Sequence, residues 1–328
     1  MIEFIETSRP PRPVADDHVL PFAVEGLDVR GRVVRLGSVV DAILSRHDYP
    51  APVAQVLAEA IALTALLGSS LKFEGRFTLQ TKTDGPVSML VVDYSTPEHM
   101  RAYAHFDAAA VETAIAAGHG SPAELIGRGH LAMTVDQGAD TNSYQGFVTL
   151  SGQGLEEAAH GYFQQSEQIP TRVRLAVAEM LTRDPGQPPR HAWRAGGILA
   201  QFLPQSQDRL RHRDLHPGDA PEGTALPSDD DDAWTEASSL VATVEDVELT
   251  DPALGPERLL YRLFHERGVR VFQPQPIVDR CRCGRERVAR LLANFSADDV
   301  SHMTVDGRIE VTCEFCSTRY EFDPADLA

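Results

Sequence analysis

The stretches CRCGRERVARLLANF, which begins at Cys281, and VTCEFCSTRYEF, which begins at Val311, contain every cysteine of the 328-residue chain. Cys281 and Cys283 form a C-x-C pair, and after an interval of 29 residues Cys313 and Cys316 form a C-x-x-C pair. Two tight pairs separated by the length of a small domain are typical of a four-cysteine metal site. The spacing therefore predicts a fold in which both pairs meet at one point.

The segment between the two pairs has the pattern of helices followed by a hairpin. RERVARLLANF repeats apolar residues at helical spacing, and Ser296 followed by Asp299 predicts a capped second short helix. RIEVTCEFCSTRYEF predicts a hairpin with the second cysteine pair at its turn. The apolar side chains expected on one face of the first helix are Val288, Leu291, Leu292 and Phe295.

Four thiolates brought together in this way can bind one Zn²⁺ in a closed tetrahedral site, which is structural rather than hydrolytic because no position is left for water. A purely structural zinc knuckle is one interpretation. A redox site is the other, because residues two apart in a strand are about 6.6 Å apart and residues i and i+3 of a turn lie within about 7 Å. Each pair could therefore form a disulfide, and loss of zinc would unfold a domain of about fifty residues.

Composition indicates a globular protein of the reducing cytoplasm. Apolar residues make up 42% of the chain, which is enough for a sizeable core. The start, MIEFIETSRPPRP, lacks the basic head and apolar run of a signal peptide. The most apolar stretch, residues 51–71, is interrupted by Gln55 and Glu59 and falls short of a membrane span. We therefore expect a cytoplasmic protein with free thiols and no membrane partner.

The charge argues against nucleic acid as a partner. Thirty basic and 48 acidic residues give a formal net charge of −18, which opposes binding to a phosphate backbone. Residues 206–254 hold 13 acidic and 3 basic residues. The acidic insertion at 213–232 is rich in Pro, Gly and Asp, so it predicts a linker that is at least partly disordered.

Residues 18–205 predict an α+β domain that mixes antiparallel hairpins with helices and lacks a regular βαβ alternation. HVLPFAVEGLDVRGRVVRLG predicts a bent or bulged strand, and the spacing from Val53 to Leu67 predicts a buried helix. Ser121, Pro122 and Glu124 predict the start of another helix. RFTLQTKTDGPVSMLVVDY predicts a hairpin with Phe77, Leu79 and Thr81 opposite Val87, Met89 and Val91.

The chain thus divides into four expected parts. They are a flexible arm over 1–17, the N-terminal α+β domain over 18–205, the acidic linker over 206–275 and a C-terminal zinc-binding domain over 276–328.

The linker also contains GPERLLYRLFHERG, which predicts an amphipathic helix over 256–267, with Pro256 at its start and Gly268 after its end. A helix this short is marginal alone, so we expect it to dock on the N-terminal domain. The residues expected to make this contact are Leu259, Leu260, Leu263 and Phe264.

Other chemistry has weaker support. His47 and Asp48 could form an acid–base pair, but no nucleophile motif accompanies them and a turn between two helices is favoured. A zinc hydrolase would need an open ligand position. A zinc-ribbon module that binds nucleic acid is the alternative function, yet residues 281–328 carry 6 Arg and 9 acidic residues, the opposite of a basic surface. No catalytic set emerges.

The cysteine pattern, together with HDYP, LKFEG, DGP, YFQQSEQIPTR and AGGILAQ in that order upstream, resembles the redox-regulated thirty-three-kilodalton heat-shock chaperonin family from about His18 onward. The proline-bearing arm and the acidic insertion at 213–232 depart from that family's pattern.

The resemblance implies an ATP-independent holdase chaperone and not an enzyme. Such a protein is zinc-bound and inactive when reduced. On oxidation it forms the disulfides Cys281–Cys283 and Cys313–Cys316, releases zinc and binds unfolding client proteins through its N-terminal domain. Cys313 and Cys316 would be the peroxide sensor, and the oxidised form could be a homodimer.

Overall fold

The computed structural model describes residues 16–71, 74–138, 143–183, 188–203 and 232–327. The predicted α+β class is confirmed, with helices packed on two mainly antiparallel sheets. Residues 1–15 of the expected arm and 213–231 of the acidic insertion lie outside the described residues.

The helices and strands follow the chain in this order. The strands are β1 (His18–Val24), β2 (Val29–Leu36), β3 (Arg76–Thr83), β4 (Val87–Ser95), β5 (His99–Phe106), β6 (Arg128–Asp136), β7 (Tyr144–Ser151), β8 (Thr171–Thr182), β9 (Arg190–Phe202), β10 (Arg270–Val271), β11 (Gln275–Pro276), β12 (Val278–Asp279), β13 (Ile309–Thr312) and β14 (Arg319–Phe322). The α-helices of the described residues are α1 (Ser38–Leu44), α2 (Ala51–Gly68), α3 (Ala108–Ala116), α4 (Pro122–Ile126), α5 (Leu155–Tyr162), α6 (Asp232–Ala242), α7 (Asp246–Thr250), α8 (Pro256–Phe264), α9 (Arg285–Leu292) and α10 (Ala297–Met303).

Two compact units are formed, each from two separate segments of the chain. The first combines the chain up to Ser38 with Ala159–Pro276, and the second combines Val39–Ala158 with the chain from Ile277 onward. Segments distant in the sequence thus fold together in each unit, and the four-part division stays a prediction.

The first unit contains a sheet with the strand order β10-β1-β2-β9-β8, and β11 also pairs with β1. The stretch expected to form one bent strand instead forms the hairpin of β1 and β2, in which Leu20 pairs with Val33. A 3₁₀ turn at Glu25–Leu27 reverses the chain, and Asp28 takes a left-handed conformation with φ of 50°. The single-strand prediction was wrong because Asp tolerates this conformation well enough to close a turn.

Helices α6, α7 and α8 cover one face of this sheet and complete its core. Leu259, Leu260, Leu263 and Phe264 of α8 are all at most 5% exposed. The Phe264 ring stacks on Phe22 of β1 with centroids 5.8 Å apart. The helix ends at Phe264 rather than at residue 267, because the chain then tightens into turns that end at Gly268 with φ of 75°.

A polar cluster fixes the end of α7 on the same sheet. The guanidinium of Arg35 donates to the carbonyl of Asp251 at 2.6 Å, and Arg194 donates to the carbonyl of Thr250 at 2.7 Å. Asp16 binds Arg194 through both carboxylate oxygens at 2.7 Å and lies 3.4 Å from Arg35. Burial lowers the pKa of Arg35, and Asp16 opposes this shift.

The second unit contains a sheet with the order β12-β5-β4-β3-β6-β7. Helix α2 lies against β3, β4 and β5 and is buried almost all round, as its alanine-rich composition predicts. Among the described residues it is the one helix long and apolar enough to cross a membrane, and 78% of that length is buried inside the structure. This environment is that of a core helix.

The predicted start of α4 is confirmed, because Ser121 and Glu124 form a capping box before Pro122. The β3–β4 hairpin is also confirmed, but its register was predicted wrongly. Phe77 pairs with Tyr94, not with Val91. The β3–β4 ladder ends at Gln80 and Val91, so the connection between the two strands is longer than the predicted register requires.

Gly196 of β9 generates a prediction about the covering helices, because a Cβ at this position would overlap the carbonyl of Leu249 in α7. We expect Gly196→Ala to lower the free energy of local opening of α7 by about 1–3 kcal/mol. Hydrogen exchange of the Asp246–Thr250 amides would measure it.

Gly161→Ala is the matched control, because a Cβ at Gly161 meets nothing within 4 Å. Unchanged exchange of the α7 amides in Gly196→Ala would contradict the predicted overlap.

Candidate metal centre

Strand β12 places the first cysteine pair beside the second sheet. It pairs in parallel with the start of β5. The amide of Val278 donates to the carbonyl of Glu98 at 2.7 Å, and the amide of Arg280 donates to the carbonyl of Met100 at 2.9 Å. Cys281 follows Arg280 directly, so this backbone pairing places it beside β5.

The second cysteine pair lies at the turn of the β13–β14 hairpin, as predicted. The amide of Cys313 donates to the carbonyl of Thr318 at 3.0 Å, and the amide of Ser317 donates to the carbonyl of Cys313 at 2.8 Å. Ser317 has φ of 56°, in the left-handed region that closes such a turn. These contacts hold the knuckle in one conformation.

All four predicted cysteines come together. Their Sγ atoms lie within 4.8 Å of one another, and no other group of three or more His, Cys, Asp or Glu with this geometry occurs in the described part of the chain. Cys281 and Cys313 are 3.7 Å apart at sulfur, and Cys283 and Cys316 are 3.3 Å apart. Four free, half-buried thiols without a carboxylate or imidazole are a donor set that suits Zn²⁺ in a closed site. The cluster could therefore hold a metal ion.

The four thiols differ in acidity. Burial raises the pKa of Cys283 to about 12, although the hydroxyl of Tyr320 donates to its sulfur at 3.1 Å, and burial also raises the pKa of Cys313. Burial acts in the same direction on Cys316, but hydrogen bonding by Thr318, whose Oγ1 lies 3.2 Å from the sulfur, lowers the pKa to about 7. Without a cation, Cys316 is thus the most readily ionised of these three thiols.

Phe315, between the two cysteines of the second knuckle, rests on strand β5. Its ring lies under the guanidinium of Arg101 at 3.8 Å and meets Tyr103 edge-on at 4.7 Å. Asp93 fixes Arg101 through contacts of 2.8 and 2.6 Å. We call Arg101 and Tyr103 the aromatic seat. The sequence analysis did not predict this contact. The one indication in the sequence was Phe315 itself, a large aromatic residue in a turn.

The turn at His47, between α1 and α2 as expected, also contacts the second knuckle. The hydroxyl of Ser317 donates to the carbonyl of Arg46 at 3.1 Å and lies 3.3 Å from His47 Nδ1. Arg46 forms a bidentate pair with Asp279, two residues before Cys281. One loop therefore contacts residues close to both cysteine pairs. A cavity of about 590 Å³ lies between this loop, β5 and the knuckle.

The segment that carries the cysteines has a small core of its own, in which Leu292, Ile309 and Phe322 are buried. The prediction of one apolar face on the first helix was partly wrong, because Leu291 is 59% exposed and Phe295 is 45% exposed. Phe295 lies beyond the end of α9. A helix covered on one side by one hairpin and one short helix buries a narrow stripe, which leaves Leu291 outside.

The sequence also matches a protein family and several curated proteins. The family described as Hsp33 protein matches residues 17–323. The chain is 46% identical over 314 residues to the 33 kDa chaperonin of Caulobacter vibrioides, covering 95% of this chain and 96% of that protein. It is 34% identical to the 33 kDa chaperonin of Photorhabdus laumondii, covering 95% of each.

A solved structure shares the fold. The 33 kDa chaperonin of Thermotoga maritima superposes with a TM-score of 0.69 at 22% identity, covering 95% of this chain and 96% of that one. The match of the family over most of the chain, and the identity to its curated relatives, show that this chain belongs to the Hsp33 family.

Proposed function

We propose that the protein is a redox-regulated, ATP-independent holdase chaperone rather than an enzyme. The family supports a chaperone function and the binding of unfolding proteins. The observation that carries the redox part is the cluster of four free thiols within 4.8 Å.

In the reduced protein, Cys281, Cys283, Cys313 and Cys316 would hold one Zn²⁺ per chain. The bound cation would keep the four sulfurs deprotonated and restrain them in one cluster. The small core of Leu292, Ile309 and Phe322 cannot replace this restraint. The fold of the cysteine-bearing segment thus depends on its thiolates as donors.

Oxidation would remove those donors. The Cys316 thiolate attacks one oxygen of hydrogen peroxide and becomes a sulfenic acid while hydroxide leaves, and a proton converts this hydroxide to water. The Cys313 thiolate then attacks that sulfur, which forms the disulfide and expels the second oxygen as hydroxide, and a second proton converts this hydroxide to water. Two thiols are oxidised and one peroxide is reduced to two waters. A second peroxide oxidises Cys281 and Cys283 in the same way.

The second part of the proposal is that α6, α7 and α8 mask the client-binding face of the first sheet. The apolar side chains beneath them include Leu20, Phe22, Val33 and Ile198. Unfolding of the cysteine-bearing segment would loosen the chain before it and expose this face, which unfolding clients could then contact.

The remaining parts of the proposal concern partners and location. Clients are unfolding proteins, and the oxidised form can associate as a homodimer. The net charge of −18 supports neither nucleic acid nor an anionic membrane surface as a partner. The thiols are free, which suits the cytoplasm.

The metal site yields the first prediction of this function. The reduced protein should contain one zinc per chain, and each single Cys→Ser variant at positions 281, 283, 313 and 316 should lose most of it, because a closed site needs four donors. Metal analysis after gel filtration measures this. Glu314→Gln is the control, since Glu314 lies in the same knuckle and is not among the donors. Full zinc content in any Cys→Ser variant would remove that residue from the site.

The acidity of Cys316 yields the second prediction. In metal-free, reduced protein the rate of oxidation by peroxide should rise about tenfold between about pH 6 and pH 8, because the thiolate fraction rises through a pKa of about 7. Thr318→Val should shift this profile to higher pH, since it removes the hydrogen bond to Cys316.

Peptide mapping after the reaction identifies the disulfides, with Cys313–Cys316 and Cys281–Cys283 expected. The crossed pairs Cys281–Cys313 and Cys283–Cys316, whose sulfurs also lie close together, are the result that would refute this pairing.

The masking helix yields the third prediction. Replacing Leu260 and Phe264 by Asp should make the reduced, zinc-loaded protein suppress aggregation, because burial of unpaired carboxylates opposes docking of α8 by several kcal/mol. Light scattering with a thermally unfolding client measures it.

Tyr261→Asp is the matched control, because Tyr261 is 65% exposed on the same helix. A double variant that opens by hydrogen exchange, yet suppresses aggregation only after oxidation, would show that release of α8 is not the switch.

A further inference from the structure

Strand β5 would be the edge of the second sheet if β12 were absent. The order β12-β5-β4 places only two residues, Val278 and Asp279, beyond β5. The amides of Val278 and Arg280 occupy two outward carbonyls along this edge, those of Glu98 and Met100. An edge of this kind readily accepts another extended chain.

Two features continue this edge along the strand. The aromatic seat of Arg101 and Tyr103 comes directly after the β12 pairing and is filled by the ring of Phe315. Beyond it, the cavity of about 590 Å³ is lined by β5 from Tyr103 to Phe106. The chain's own C-terminal segment thus supplies a parallel strand and an aromatic ring to consecutive positions of β5.

We propose that β5, once β12 and Phe315 have left it, binds an extended segment of a client protein that carries an aromatic side chain. The client backbone takes the place of β12, and its ring takes the place of Phe315 between Arg101 and Tyr103. This inference rests on the proposed function, because oxidation must release the segment that now fills the site.

The chemistry of the site defines the partner. Backbone pairing at a sheet edge tolerates many sequences. A guanidinium held in place by Asp93, as that of Arg101 is, attracts the face of an aromatic ring. An unfolded chain offers both an extended backbone and aromatic side chains normally buried. A second copy of this chain related by a two-fold axis would pair β5 with β5 antiparallel, whereas the present occupant is parallel.

Binding of a labelled, uncharged ten-residue peptide with one central Phe, and of the same peptide with Ala in its place, tests the inference by fluorescence anisotropy. The full chain is used in three forms: reduced and zinc-loaded, oxidised, and the reduced Val278→Pro/Phe315→Ala variant. That variant loses the amide donated to Glu98 and the ring from the seat without oxidation. Phe295→Ala, at an exposed Phe of the same segment, is its control.

We expect the reduced double variant and the oxidised protein to bind the Phe peptide at least about tenfold more tightly than the reduced protein and the control variant do. The Ala peptide should bind about fivefold more weakly than the Phe peptide. Tyr103→Leu in the double variant should reduce this difference, because only Arg101 then remains to contact the ring. Zinc content and thermal melting show whether this variant folds. Tyr261→Leu is the matched exposed control.

A double variant that binds the Phe peptide no better than reduced protein overturns the inference whatever oxidation does. So does an unchanged preference for Phe in Tyr103→Leu. If the oxidised protein suppresses aggregation but does not bind the peptide, this use of β5 is wrong and the proposed function stands. If the oxidised protein neither suppresses aggregation nor binds the peptide while the double variant binds it, the proposed function is wrong and peptide binding at β5 is still supported. Sedimentation tests the alternative occupant, a second copy of this chain. If formation of a dimer displaces the peptide, β5 binds the second copy and the inference is wrong.

Discussion

Repulsion between four sulfurs is the constraint on which the C-terminal segment depends. Two unit negative charges about 4 Å apart repel by about 4 kcal/mol at an effective dielectric constant of 20, and the four Sγ atoms lie within 4.8 Å of one another. Burial already raises the pKa values of Cys283 and Cys313. Four thiolates therefore cannot share this space without a cation.

The pairing of two short strands also depends on the cysteine cluster, because the chain passes from one sheet to the other within a few residues. Gln275 and Pro276 of β11 pair with β1, Ile277 follows, and Val278 and Asp279 of β12 pair with β5. Each of these strands is only two residues long, so each contributes few hydrogen bonds. Their order therefore depends on what holds the chain on either side, which is α8 before them and the cysteine cluster after them.

Local patterns in the sequence predicted much of the fold. Helix α2, the capping box at Ser121 and the hairpin that carries Cys313 and Cys316 each depend on residues close together in the chain. The cysteine spacing likewise predicted which four residues to look for, and the structure brings them together. The end of α8 and the exposure of Leu291 were less predictable, because the neighbouring surface decides them.

What sequence reasoning could not supply were contacts between distant segments. A two-residue strand such as β12 has no periodicity to detect, and its pairing with β5 joins residues almost 180 positions apart. The contact of Phe315 with the aromatic seat was missed for the same reason, because it too joins segments far apart in the sequence. The β1–β2 turn was missed for a different reason, since Glu25–Asp28 lacks a strong turn dipeptide and Asp28 alone carries the left-handed conformation.

Arg35 sets a limit on how firmly the helices over the first sheet are held. Its side chain is 2% exposed, and burial lowers its pKa even with Asp16 nearby. A guanidinium taken from water loses hydration, which the hydrogen bond to Asp251 and the ion pair with Asp16 replace only in part. When α7 moves away, water regains access to this charge, so rehydration of Arg35 favours the uncovered state and partly offsets the loss of apolar contacts. The covered arrangement is thus less stable than its buried apolar area alone implies.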